Sequence, residues 1–480
     1  MGVNVVRTIP VIGLVLAISA LGSMGAAGQA GTSAASVGAG PAQGGQRTTP
    51  GPAPATPIKH IVVLDLENRS FDNIFGFWCD EKPGRCPAGG MPARVRLSDG
   101  AAVRPKVDPD IAPGVVHTVN GQVLAMNHGK MNGWGLIQGC HADQGYSCIS
   151  GYKPRQEPNI ISLAHHFAIS DQTFSMKDSP SWGGHIYLVA ASLDGFTGMI
   201  PWKEPGTTTG PGWGCDSHKI TEWREPVTHR TKDVPSCIPD PALKLPNGGA
   251  FRPTPVSYEP TIMDRLAAAG LSWKLYGASY GQNGYHWSIC PTFAECLYTS
   301  QSAHVSPDQQ FFTDAKAGRL PSFSVVTPGG PYAPDSCHNG SSNIACDNFL
   351  GQVASAVMAG RQWHSTALFI TWDDCGCFYD QVPPGKNPDG TQQGPRLPMM
   401  IISPYAKPGH VDNTPATFEG VLAFAERTFN LAPLGVNDAQ AYPFSHSFNY
   451  SQKPLKPVRM VHRAIPKGEH IDWAQLRQDT

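Results

Sequence analysis

Glu67 and Asn68 follow the apolar run Ile58 to Leu66, and Asp373 and Asp374 follow a second run, Thr366 to Trp372. Both runs are rich in β-branched and aromatic residues, as buried strands are. Taken singly, each acid is an ordinary strand-end group that can bond loop amides. Together, three carboxylates and an amide oxygen on one rim repel one another unless a cation neutralises them. The donor set suits a divalent metal ion: Ca, Mg, Mn or Zn. Ser181 lies in Ser179-Pro180-Ser181-Trp182-Gly183-Gly184-His185, just before an expected helix start where backbone amides favour an anion. A serine oxygen held ionised beside a cation is a nucleophile that needs no separate general base. Phosphoryl transfer requires such a nucleophile, charge neutralisation and donors to the equatorial oxygens.

The elements that must position these groups read as alternating strands and helices. After the strand at 58–66, residues 69–75 form a loop opening toward a helix, and 160–174 is a second core segment. A turn around Ser181 leads into a buried helix near Ile186, and an amphipathic helix at 261–270 closes on Gly270 before a strand at 271–276. Helical character returns at 351–360, followed by strands at 366–372 and 397–403 and a helix at 417–429. Uninterrupted apolar strands separated by helices argue for a mainly parallel sheet covered on both faces. In such sheets ligands lie beyond the carboxyl ends of the strands, where both acidic pairs fall.

Basic and acidic residues nearly balance, 36 against 37, giving a net charge of -1. No broad field for nucleic acid follows, so no nucleic-acid partner is expected. The 52 Gly and 45 Pro predict elaborate loops around the core. Residues 1–30 combine Arg7, the apolar run Ile9 to Leu21 and small residues, which is the pattern of a cleaved signal peptide. That run is shorter than the about 20 residues of a spanning helix, so no stable transmembrane anchor is expected. Residues 31–56 read as a Gly/Ala/Pro-rich flexible linker, 57–450 as a catalytic domain and 451–480 as a C-terminal extension. The expected location is secreted or extracytoplasmic. The 12 cysteines fall mostly into local neighbours: Cys79 with Cys86, Cys140 with Cys148, Cys215 with Cys237, Cys290 with Cys296, and Cys337 with Cys346. Behind a signal peptide an even count reads as disulfides, although spacing alone leaves their connectivity open. Cys375 and Cys377 sit too close for an ordinary bridge.

Ile58-Lys59-His60-Ile61-Val62-Val63-Leu64, followed by Glu67-Asn68-Arg69-Ser70-Phe71-Asp72, resembles the opening signature of the bacterial phospholipase C and acid phosphatase family, phosphoesterases of the alkaline phosphatase superfamily. The likeness continues at His117, at Asn127 to Trp134, at Ser181 and His185, and at Ala269 to Tyr276. It returns from Trp363 to Pro384, at Arg396-Leu397-Pro398 and at Ile402 to Tyr405, spanning roughly residues 57 to 435. The resemblance implies a three-layer α/β/α sandwich with long insertions between 77 and 155 and between 195 and 258. It implies that Glu67, Asn68, Asp373 and Asp374 are metal ligands and that Ser181 is both nucleophile and ligand. It also implies phosphate-facing roles for His338, His286 and His117.

Two departures stand out. Relatives read Pro-Asn-Arg where this chain has Gly183-Gly184-His185, so the arginine that the resemblance implies near the phosphate is missing and His185 is expected to replace it only in part for substrate binding. Gly-Gly-Phe-Tyr-Asp-His becomes Gly376-Cys377-Phe378-Tyr379-Asp380-Gln381. The expected activity is hydrolysis of a phosphate ester, either a monoester or a phospholipid head-group diester, through a phosphoserine. Trp134, Trp182, Trp213 and Trp287 are candidate walls for a choline cage, while the Asp373-Asp374 pair, in place of Asp-Glu, tilts toward general phosphatase activity. The rival from another class is a catalytically silent secreted binding protein on the same scaffold.

Overall fold

The computed structural model describes residues 56–240, 243, 254–258 and 260–466. The expected signal peptide, linker residues 31–55 and residues 467–480 of the extension lie outside the described residues. A central sheet contains β1 (His60–Leu66), β2 (Ala168–Ser170), β3 (Trp273–Gly277), β4 (Val305–Pro307), β5 (Phe323–Val326), β6 (Thr366–Trp372), β7 (Met399–Ile402) and β8 (His410–Asp412). Their order is β4-β3-β5-β1-β6-β7-β2-β8. Only β7 runs against the rest, antiparallel to both β6 and β2. The remaining pairings are parallel. β5 and β6 are buried throughout and β1 from its second residue onward. Burial on both faces explains why their sequences run apolar without alternation.

The helices are α1 (Val119–Met126), α2 (Pro158–His166), α3 (Ser181–Tyr187), α4 (Ile262–Ala268), α5 (Asp308–Ala317), α6 (Asn343–Ala359) and α7 (Glu419–Phe429), with shorter turns between them. α6 packs against both α2 and α5. A second group forms where Ile262 N, opening α4, donates to Val189 O beyond α3, and Arg265 Nη2 donates to Pro433 O beyond α7. The two groups and the sheet make the expected three layers.

α4 keeps its predicted ends: Thr261 accepts from Asp264 N at the start, and Gly270 takes φ +69° just past the close. α6 begins eight residues before the expected 351, because Ser342 caps it by accepting from Ala345 N. The segment 160–174 divides into α2 and the short strands Ala168–Ser170 and Thr173–Phe174. α5 and the strands β4, β5 and β8 carry no expectation from the sequence reading.

All five local cysteine pairs are bridged, while Cys375 and Cys377 are unbridged and buried. The insertions carry small hairpins, such as Ile220–Arg224 with Thr231–Pro235, stapled by Cys215–Cys237. The described part of the extension is tied down: Val461 N donates to Asn159 Oδ1 on α2, and Arg463 Nη2 pairs with Asp347 on α6 at 3.2 Å. No helix among the described residues is long and apolar enough to cross a membrane.

Candidate active site

Strand register brings the two acidic pairs together. Leu66 of β1 faces Trp372 of β6, and Asp373 N extends the ladder by donating to Leu66 O at 2.9 Å. Glu67 and Asp373 are therefore the next residues on adjacent parallel strands. Asn68 turns out of the strand at φ +58°, a left-handed conformation that Asn tolerates. Its amide donates to Asp373 Oδ1 at 2.9 Å. On the facing loop, Gly376 N donates to Asp374 Oδ1 at 2.6 Å. A Cβ on Gly376 would stand 2.4 Å from Asn68 O, so only glycine lets the two loops approach this closely.

Ser181 is the first residue of α3, rather than preceding it, and Pro180 before it supplies the extended entry. Its Oγ donates to Glu67 Oε2 at 3.2 Å and accepts from Asn68 Nδ2 at 3.3 Å. One turn on, His185 shares that helix face. Its Nε2 lies 3.0 Å from Glu67 Oε1, 3.2 Å from Asp65 Oδ2 and 3.9 Å from Asp373 Oδ2. The Gly183-Gly184 departure has a steric reason. A Cβ on Gly184 would meet Asp373 O at 2.5 Å, and one on Gly183 would meet Ser179 Oγ at 1.9 Å. The pair lets α3 settle directly on the acidic strand end, which carries His185 in among the carboxylates.

Glu67, Asn68, Ser181, His185, Asp373 and Asp374 are all buried. Burial, reinforced by Asp373, holds Glu67 well above the usual carboxylate range. The same two causes push Asp374 up to about 7. Burial lowers His185 to about 4, with Asp373 opposing. The buried oxygens Asn68 Oδ1, Asp373 Oδ2 and Asp374 Oδ2 have no hydrogen-bond partner. Buried acids left in this state are costly unless a cation accepts those lone pairs. Ligand atoms of Glu67, His185 and Asp373 lie within 4.8 Å of one another, close enough for one ion. The donor set fits a divalent cation.

Asp65 is a site residue the sequence reading missed. It accepts no hydrogen bond, lies fully inside β1 and is held well above its ordinary range by burial and then by Asp373. Its signal was an acid inside an apolar strand two positions before Glu67, hence on the same face.

The histidines form a flank. His117 Nδ1 faces Val115 O at 2.9 Å, and His338 Nδ1 faces Asn339 O at 2.8 Å. A carbonyl requires a donor, which fixes Nδ1–H in each neutral ring and leaves Nε2 to accept. The two rings are 5.8 Å apart, and His117 lowers Asp374 electrostatically. Beside them is a cavity of about 480 Å³ whose lining includes His117, Thr118, Gln138, His338 and Asn339. His286 packs against Trp213 and Trp287, with ring centroids at 4.9 and 4.5 Å. Trp213 in turn reaches His185, and Trp287 reaches His338. Trp134 and Trp182 instead pack on Tyr379 and Phe196.

Other motif residues brace the site. Arg396 is fully buried, pairs with Asp72 at 2.8 Å and Asp380 at 3.0 Å, and lies over Phe71. It ties together the loops that follow β1 and β6.

The model of the Phosphoesterase family matches residues 58–432. Non-specific phospholipase C1 of Arabidopsis thaliana is 25% identical over 439 residues, covering 83% of this chain and 72% of its own. Phospholipase C A of Mycobacterium tuberculosis is 26% identical, covering 74% of this chain and 70% of its own. Among solved structures, a protein in the alkaline phosphatase superfamily from Vibrio parahaemolyticus aligns with a TM-score of 0.33 at 13% identity, over 76% of this chain and 74% of that one.

Proposed function

Because the chain belongs to the Phosphoesterase family and is a hydrolase of phosphoric ester bonds, we propose that Ser181 is its nucleophile. A divalent metal ion is held by Glu67, Asn68, Ser181, Asp373 and Asp374, with His185 as a further ligand. The observation that carries this reading is Ser181 Oγ, 3.2 Å from Glu67 Oε2, inside a buried cluster of acids with unpartnered oxygens. When bound, the cation neutralises the carboxylates and favours the ionised serine oxygen. Ser181 Oγ, its proton directed at Glu67, attacks phosphorus in line. The bond to the leaving alcohol breaks, and that oxygen takes the Nε2 proton of His338 or His117 acting in its doubly protonated form, whose Nδ1–H stays on its backbone carbonyl. Water then attacks the phosphorylated serine, releasing the phosphate and restoring the hydroxyl. His286 acts from behind Trp213 and Trp287 by orienting the walls of the phosphate site.

Among possible esters, the reading favoured is a phospholipid head-group diester. The relatives are named phospholipases C, and Trp213 and Trp287 stand beside His185 and His338 as walls suited to a quaternary ammonium. Five disulfides support action in an oxidising, extracytoplasmic compartment.

The test is hydrolysis of p-nitrophenyl phosphate and p-nitrophenylphosphorylcholine by the mature chain and its Ser181→Ala variant in metal-replete buffer. The variant is expected to lose about 10³-fold or more in kcat. Equal turnover by both proteins removes Ser181 from the mechanism, and silence of the parent on both esters favours the binding-protein rival.

A further inference from the structure

We propose that the segment from Val116 to Leu136 docks the protein on a phospholipid surface, beside the cavity through which the ester enters. This rests on the lipid-ester reading above and adds to it where the enzyme meets its substrate. Among the described residues, four of the eleven exposed large apolar side chains fall in these 21 positions: Val116 (37% exposed), Val123 (46%), Leu124 (45%) and Leu136 (47%). Soluble surfaces scatter such side chains, and concentrating them marks a binding face.

The four belong to one compact feature. A Cβ on Gly133 would meet Leu124 O at 1.8 Å, so the turn Trp134–Leu136 lies directly against the end of α1. A Cβ on Gly121 would meet Val116 O at 2.8 Å, so the segment that precedes α1 also lies against it. The feature is also fixed to the active site. Gln122, buried on the opposite side of α1, donates through Nε2 to His117 O at 3.2 Å and to Ser179 O at 2.9 Å. Val116 itself lines the cavity beside His117 and His338. Val116 thus stands at the cavity wall, and Val123, Leu124 and Leu136 extend the apolar surface from it along the same feature.

Charge selects the occupant. From Ile111 to Ala142 the chain contains no Asp or Glu and one Lys, Lys130, together with His117, His128 and His141. An acid-free apolar patch with a single cation neither repels lipid phosphates nor needs strongly anionic lipid, and it suits shallow insertion into a zwitterionic surface.

The experiment is co-sedimentation of the full chain with phosphatidylcholine vesicles, comparing the parent, V123S/L124S/L136S and the control Val227→Ser, which removes an exposed valine elsewhere. Turnover of p-nitrophenylphosphorylcholine and thermal unfolding are read in parallel. The parent and the control are expected to partition alike and the triple variant at least tenfold less, with its soluble turnover and unfolding temperature unchanged. Equal partitioning by the triple variant overturns the proposal. So does failure of the parent to bind vesicles. Loss of vesicle binding in the triple variant supports the surface even if neither soluble ester turns over, so failure of the catalytic reading is seen separately.

Discussion

Asp373 serves two partners with its two oxygens. Oδ1 accepts from Asn68 N at 2.9 Å, and Oδ2 has no hydrogen-bond partner. An Asp373→Asn variant, with its carbonyl oxygen turned to Asn68, keeps the structural bond and removes only the charge offered to the cation. We expect it to fold as the parent does and to lose bound divalent metal at least tenfold, measured by elemental analysis after dialysis. Retention of the parent's metal stoichiometry would remove Asp373 from the ligand set. At this scale the sequence was most readable where chemistry coincides with a strand end. Glu67 and Asp373 are 306 positions apart, yet each terminates a seven-residue apolar strand, and the register of Leu66 with Trp372 makes them neighbours. His185 was readable as a functional residue but not as a neighbour of Asp65. Its position depends on how closely α3 approaches the sheet, which two Cβ-free residues decide.

Element boundaries were read well at α4, where Thr261 and Gly270 mark both ends, and poorly at α6, whose Ser342 cap was passed over, and where glycine or brevity hides them. Gly183 and Gly184 each cost about 1 kcal/mol of helix propensity relative to Ala, which placed the expected helix start after Ser181, whereas packing against Asp373 stabilises a helix from Ser181 onward. β5 is four residues long and offers too short a pattern for periodicity, although it lies at the centre of the sheet beside β1. The loops leaving β1 and β6 are joined by Arg396 between Asp72 and Asp380, all three buried. Removing one partner of a buried ion cluster leaves uncompensated charge, so Arg396→Leu should destabilise the fold by about 3–5 kcal/mol. R396L/D72N/D380N should recover a large part of that loss, because neutral amides no longer need a cation. Urea unfolding of both variants checks this. A loss below about 1 kcal/mol in the single variant would mean that water already solvates the two acids.

For the whole molecule, composition announced many loops, and the structure answers with insertions held by local bridges rather than by a larger core. The loops closed by the five disulfides span separations of 6 to 22 residues. Sequence spacing left their pairing open because any two of these cysteines could meet in an unknown fold; it is the local backbone, inside the insertions for three bridges and outside them for Cys290–Cys296 and Cys337–Cys346, that returns each cysteine to its neighbour. Short closures each restrict the unfolded chain by about 2–4 kcal/mol, and they act on loops that contribute little to the central sheet. Cys337–Cys346 lies beside His338 and joins its segment to α6, so reduction should loosen the phosphate-facing flank as well as the periphery. We therefore expect thiol titration of the denatured, unreduced protein to find two reactive groups, Cys375 and Cys377, and titration under native conditions to find neither, since both are buried. Reduction should lower the unfolding temperature by about 10 °C or more, since five closures together contribute about 10–20 kcal/mol and an unfolding entropy of about 2.1 cal/mol/K per residue makes each kcal/mol worth about 1 °C in a chain this long. Twelve titratable thiols in denatured, unreduced protein purified from an oxidising compartment would contradict the bridged structure, and an unchanged unfolding temperature after complete reduction would show that the sheet core alone sets stability.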